Sequence, residues 1–286
     1  MKKSRKILFT ILLVFGVVAV AGVTGFFAGN IISFKLRSRP NYNFDASAYT
    51  ETIDDIKYSP SDKPAQRTAS EAFIIAVHKL NERKFYDISG YGVVDTGMGR
   101  FGKLYVWGKA RKQEGEINTS IVAYNRIIEK YQVGLRYDYR IEKDEIDFYW
   151  GESSSDGSCD WEKPELINRK QYIAEWGLDP TNFFPYTISS KTAIKNSSAY
   201  EFESDGKKLY RFSLKLDCRL AVSNYARQLK KMSGLNNYPD FEYVYFDFVV
   251  DNNFNLVSVN IKERYSVFIY GVLVHCEGKN EYSFVY

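Results

Sequence analysis

Twenty-eight consecutive residues, Ile7 to Phe34, carry no charged side chain. As a helix they would extend about 42 Å, longer than a bilayer hydrocarbon core of about 30 Å. A run of this kind has to leave water, and it is predicted to be a transmembrane anchor with room to tilt. Lys2, Lys3, Arg5 and Lys6 precede it, and Lys35, Arg37 and Arg39 follow. The positive-inside rule then puts residues 1–6 in the cytoplasm and everything after the anchor outside the cell membrane. The rival reading is a secretory signal, with Lys2 to Lys6 as its basic start, Ile7 to Val18 as its apolar core and Ala19-Val20-Ala21 as its cleavage site. The apolar run continues past Ala21 through Val23, Phe26, Phe27, Ile31 and Ile32, which favours an uncleaved anchor. Both readings export the rest of the chain. Acylation at a lipoprotein-type cysteine is excluded, because the first cysteine is Cys159. Ala21, Gly25 and Gly29 recur at a spacing of four, the small-residue pattern through which membrane helices approach closely. Self-association through that face is an expectation. Its rival is that glycine is common in membrane helices anyway.

The charge balance changes meaning once the anchor is set aside. The whole chain has 39 basic and 35 acidic side chains, a formal net of +4. Seven of the basic residues flank the anchor, where there is no acid before Asp45, so residues 45–286 carry 32 basic and 35 acidic side chains, a net of −3. A polyanion partner needs clustered cations to replace condensed counterions, so nucleic-acid binding is not expected.

The exported part is rich in aromatics, with 23 Tyr and 20 Phe in the chain, and it reads as strands. Residues 35–66, with Pro40, Pro60 and Pro64, are expected to be a tether. Thr68-Ala69-Ser70-Glu71 is a capping box, and Ala72, Phe73, Ala76, Val77 and Leu80 repeat at helical spacing, which predicts a helix to about Arg83. Five strands are predicted between Tyr86 and Trp150, broken at Gly97 to Gly99, Glu114-Gly115 and Lys143-Asp144. Gly151 to Gly157 is expected to be a surface loop. A second helix is predicted from Pro164 to Trp176, followed by strands at about 186–195, 199–204 and 207–216. A third helix is predicted from Arg219 to Ser233, with Asp217 near its N-cap and Gly234 after its end. Four further strands are predicted at 241–250, 254–265, 267–275 and 282–286, with Gly278-Lys279-Asn280 as a turn. Such short connections imply antiparallel pairing. The fold class is therefore α+β: residues 67–286 form a large, curved antiparallel sheet with about three helices on one side, preceded by one transmembrane helix.

No motif of known chemistry stands out. The two histidines, His78 and His275, have no His-x-x-x-His or Cys-x-x-Cys companion, so no metal site is expected. Cys159, Cys218 and Cys276 are an odd number for an exported chain. One disulfide, between Cys218 and Cys276, or three free thiols are both open. No nucleophile elbow or phosphate loop is present, and Gly97-Met98-Gly99-Arg100 reads as a hairpin turn. The acidic groups Asp54-Asp55, Glu142/Asp144/Glu145 and Glu162/Glu165 read as solvated faces rather than glycosidase pairs. No catalytic residue, cofactor or metal ligand is assigned, and the chain is not expected to be an enzyme.

The order of helix, antiparallel run, helix, strands, helix, strands behind an export signal resembles the LolA/LppX-like exported bacterial proteins. The stretches that carry the likeness are Ala69 to Gly92, Tyr172 to Ser190 with Gly177-Leu178-Asp179-Pro180, and Met232 to Tyr265 with its Val249-Val250-Asp251-Asn252-Asn253-Phe254 segment. The resemblance implies a half-open barrel closed by helices, and a lipid or other apolar ligand on its concave face. The chain departs from the lipid-anchored members in having no acylated cysteine, so a shuttling role is not implied. Three functions are carried forward. The first is a membrane-anchored, non-catalytic binder of a hydrophobic or envelope-derived ligand. The second is an envelope interaction protein with a filled core. The last is a hydrolase with an unfamiliar site.

Overall fold

The computed structural model describes residues 42–97, 99–128, 131–235, 237–269 and 272–286. The uncharged segment, with Ala21, Gly25 and Gly29, lies outside the described residues. Among the described residues no helix is long and apolar enough to cross a membrane.

Among the described residues thirteen strands form one antiparallel sheet. Its first five are β1 (Phe85–Asp95), β2 (Lys103–Gln113), β3 (Glu116–Asn125), β4 (Val133–Arg140) and β5 (Glu145–Ser153). β6 (Cys159–Trp161), β7 (Glu165–Asn168), β8 (Ala193–Asn196), β9 (Tyr200–Ser204) and β10 (Lys207–Leu216) follow. β11 (Asp240–Asp251), β12 (Leu256–Ile269) and β13 (Val272–Val285) are the longest. The spatial order is β6-β5-β4-β3-β2-β1-β13-β12-β11-β10-β8, with β7 on β5 and β9 on β10. The two ends of this order do not pair with each other, so the sheet stays open as a half-barrel. Alternation sends one row of each strand inward; in β12 that row is Val259, Ile261, Glu263, Tyr265 and Val267.

Among the described residues four α-helices cover the inner face. α1 (Ala69–Glu82) begins at Thr68, whose backbone N–H donates to the Glu71 carboxylate at 2.9 Å, as the capping box predicts. It drives Phe73 between Phe184, Phe246 and Phe248, at ring separations of 5.3–5.7 Å. α2 (Arg169–Trp176) lays Tyr172 and Trp176 on Tyr137 and Phe148 of β4 and β5. α3 (Cys218–Ala221) and α4 (Ser223–Met232) are one predicted helix broken at Val222. Asp217 caps α3 by accepting the Arg219 N–H at 2.9 Å.

Several expectations are corrected. The second helix begins five residues later than predicted: Glu165–Asn168 pairs with β5 instead, and Asn168 is the true cap, accepting from the Gln171 N–H at 2.9 Å. Residues 186–192 form no strand, because their backbone bonds go elsewhere: Thr187 donates to Ala221 and Thr192 to Ser189. Gly278 lies inside β13, paired with Glu263, and is not in a turn. β5 also continues to Ser153, into the expected loop. Residues 42–66, read as a tether, lie on the domain. Tyr42 is buried with its hydroxyl on the Pro239 carbonyl, and Glu51 accepts from the Ser190 N–H at 2.8 Å.

Candidate functional site: an apolar hollow under α4

Where β1 to β4 pass under α4, their inner positions are small or aliphatic: Val94, Leu104, Val106, Gly108, Ile121, Ala123 and Val133. Among the described residues the helix side chains that line the space above them, including Leu229 and Met232, leave it unfilled. A hollow of about 250 Å³ opens where the loops after β1, β3, α4 and β12 come together. Its walls include Leu104, Ile128, Leu235, Val267, Val272 and Val274, almost wholly apolar. A second space of about 110 Å³ adjoins it deeper in, beneath Tyr186, Tyr225 and Leu229. An unfilled apolar volume forgoes dispersion contacts that a packed core would have, so its persistence calls for a reason.

At the inner end stands Glu263, fully buried on β12. Its two carboxylate oxygens accept from the hydroxyls of Tyr186 and Tyr225, each at 2.9 Å. Among the described residues no cation joins them. Burial therefore pushes the carboxyl up to about 7, an effect the two tyrosine donors only partly offset. The residue opposite is Gly278, where a Cβ would stand 2.8 Å from both Cγ and Oε1 of Glu263, so glycine there makes the room. Gly90 serves Tyr282 in the same way, since a Cβ there would stand 2.1 Å from the ring. The inner wall is thus a tyrosine-lined polar floor below an apolar mouth, suited to an amphipathic molecule.

The other candidate residues are not brought together. His78 sits on α1, 3.1 Å from Glu82, beside a wider groove of about 440 Å³ between α1 and residues 177–188. That groove is lined by Glu51, Asp179, Asn81 and Asn182 and faces solvent. His275 is exposed on the outer face, with Ser266 Oγ at 2.9 Å and Glu242 Oε1 at 4.0 Å, both against Nδ1. A relay of the serine-hydrolase kind needs the hydroxyl and the carboxylate on opposite ring nitrogens, in a cleft. The three cysteines are unpaired. Burial pushes the thiols of Cys218 and Cys276 up to about 12 and also raises that of Cys159, the reverse of an activated nucleophile. Among the described residues no three His, Cys, Asp or Glu side chains are placed to share a metal ion.

Glu263 was not singled out by the sequence. The available signal was a lone acid in an otherwise apolar inward row, with a glycine in the strand that pairs with it.

No protein-family model matches the chain, and no curated protein matches it in sequence. Among solved structures it is similar to a domain of an outer membrane lipoprotein-sorting protein from Vibrio parahaemolyticus. That match has 8% identity, spans 74% of this chain and 90% of that one, and has a TM-score of 0.26. A dehydratase domain of a curacin polyketide synthase module matches with 11% identity, spans 82% and 90%, and has a TM-score of 0.12. At such scores neither likeness bears on the ligand, and the fold stands on the sheet itself.

Proposed function

We propose that this chain is a membrane-anchored extracytoplasmic protein that binds a hydrophobic or lipid-like ligand in the hollow under α4 and performs no chemistry on it. The observation that carries the reading is the unfilled apolar space between sheet and helices. Its two parts together reach the lower end of the about 300–1,000 Å³ usual for ligand pockets. The uncharged run from Ile7 to Phe34 supports the anchor, and the orientation follows from the basic residues before it.

The test is saturable binding of an apolar fluorescent probe, such as N-phenylnaphthylamine, to the full chain. Val267→Trp, which puts an indole into the hollow, is expected to abolish binding without unfolding the sheet. No saturable binding by the natural chain would sink the reading and leave an interaction protein with a closed core. Protease added outside intact cells is expected to cut the exposed 154–157 loop. Protection there, with cleavage in inverted membranes, would reverse the orientation.

A further inference from the structure

We infer that the ligand is an anionic phospholipid, with its chain in the apolar hollow and its phosphate held by Arg227 and Lys230 at the mouth; this rests on the apolar-ligand reading above. α4 carries Arg227, Lys230 and Lys231 and no acid. Together with Gly234, Leu235 and Tyr238 they line a surface hollow of about 420 Å³. Leu235 belongs to the wall of this basic hollow and to that of the apolar one, so the two adjoin.

The cations are held without being neutralised. The Arg227 guanidinium lies 5.2 Å from the Phe44 ring centre, and the Lys230 ammonium lies 4.4 Å from that of Tyr238. Ring contacts of this kind fix a side chain but leave its charge available. Lys231 differs, since it lies over Trp176 and meets Glu175, with Glu165 also nearby. Among the described residues neither Arg227 nor Lys230 is in an ion pair.

The way the chain enters the domain gives the second line of argument. Tyr42 and Phe44 pack at this same rim, with Phe44 5.0 Å from the Tyr238 ring and Tyr42 6.3 Å from it. Only residues 35–41 separate Phe34, the end of the uncharged run, from Tyr42. Seven residues reach at most about 25 Å, so an anchored domain holds this rim close to the headgroups. Lys35, Arg37 and Arg39 lie in the same short stretch and add to the attraction for an anionic leaflet.

The experiment uses the full chain in a non-ionic detergent, offered equal amounts of dioleoyl phosphatidylglycerol and dioleoyl phosphatidylcholine, with retained lipid read by native mass spectrometry. Two half-buried charge contacts at the mouth are expected to favour the anionic lipid by about five- to tenfold. Arg227→Gln with Lys230→Gln should bring the two lipids to parity by lowering retained phosphatidylglycerol much more than phosphatidylcholine, whose choline already offsets its phosphate, and phosphatidylcholine still retained shows that the variant is folded. Val267→Trp should remove both lipids, separating the hollow from lipid around the anchor. Parity in the natural chain, or a preference that survives the double variant, overturns the headgroup assignment and leaves the apolar-ligand reading standing. Retention of neither lipid overturns both. Displacement of the anionic lipid by inorganic phosphate alone would assign the cations to a free anion and overturn the lipid.

Discussion

The half of the sheet built from β10, β11 and β12 and the part of β1 to β4 that lies under α4 share one alternating pattern, yet only the first is filled. Beneath α1, Phe212, Phe246 and Phe248 are at most 1% exposed, and Phe73 of the helix is 4% exposed. Phe212 stacks on Phe248 at 5.2 Å. In the other half Leu104, Val106, Ile121 and Val133 point to the same side and stay half-buried. The difference lies in volume. One half offers phenylalanine to a helix that sends down a phenylalanine. The other offers aliphatics, Gly108 and Ala123 to a helix whose nearest apolar groups are Leu229 and Met232. A hollow can thus be written into a sheet by residue size alone, with the hydrophobic pattern unchanged.

That contrast can be broken at several points. The largest expected effect is in the filled half, where Phe248→Ala should cost about 3–5 kcal/mol in denaturant unfolding because the neighbours cannot close the gap. Leu104→Ala, the same kind of truncation in the hollow half, should cost less than about 1.5 kcal/mol, since part of its apolar surface is already uncovered. Equal losses would mean that the hollow is closed in solution.

Next in size is the pH dependence from Glu263, which sits where the two halves meet. Its folded-state value, about 7, is above the ordinary 4.5, so the folded protein holds this proton more tightly than the unfolded chain. Its contribution to stability is full below about pH 4.5 and falls as pH rises to about 7. The loss is on the order of 3 kcal/mol. Glu263→Gln should remove that slope from chemical-denaturation midpoints measured between pH 4.5 and 8. An unchanged slope would place the titration elsewhere.

Smallest is the response to added volume. Val274→Phe should leave stability within about 1 kcal/mol while blocking the apolar probe. Val244→Phe, under the packed helices, should cost about 1–3 kcal/mol and leave probe binding intact. A reversal of that pair would exchange the roles of the two halves.

Much of the architecture was legible because it is local. The cap at Thr68, the Asp-Gly hairpin at Asp205-Gly206 and the alternation of β2 and β3 are each set by neighbours in sequence. What misled were residues whose local preference serves a distant partner. Gly278-Lys279-Asn280 has turn composition, yet Gly278 is where it is because Glu263 needs the space across the strand pair. Glu165-Leu166-Ile167-Asn168 follows a proline that suits a helix start, but β5 supplies a ladder that a single sequence does not reveal. The site was less legible than the fold. A hollow is the absence of side chains contributed from several separate strands, and the partners of Glu263 lie 77 and 38 residues away.

The order of strands has a consequence for how the chain reaches this state. β13 lies between β1 and β12, so a strand made after the other twelve joins the first to the rest. β1 to β5 form a run of hairpins that can zip locally, but the free edge of β1 has no strand partner until residues 272–285 have been synthesised. Until then the edge of β1 and a wide aliphatic surface stand open, a state prone to association with other chains. Assembly is therefore timed by the final strand, and a chain interrupted before Val272 would hold two half-sheets with no seam between them.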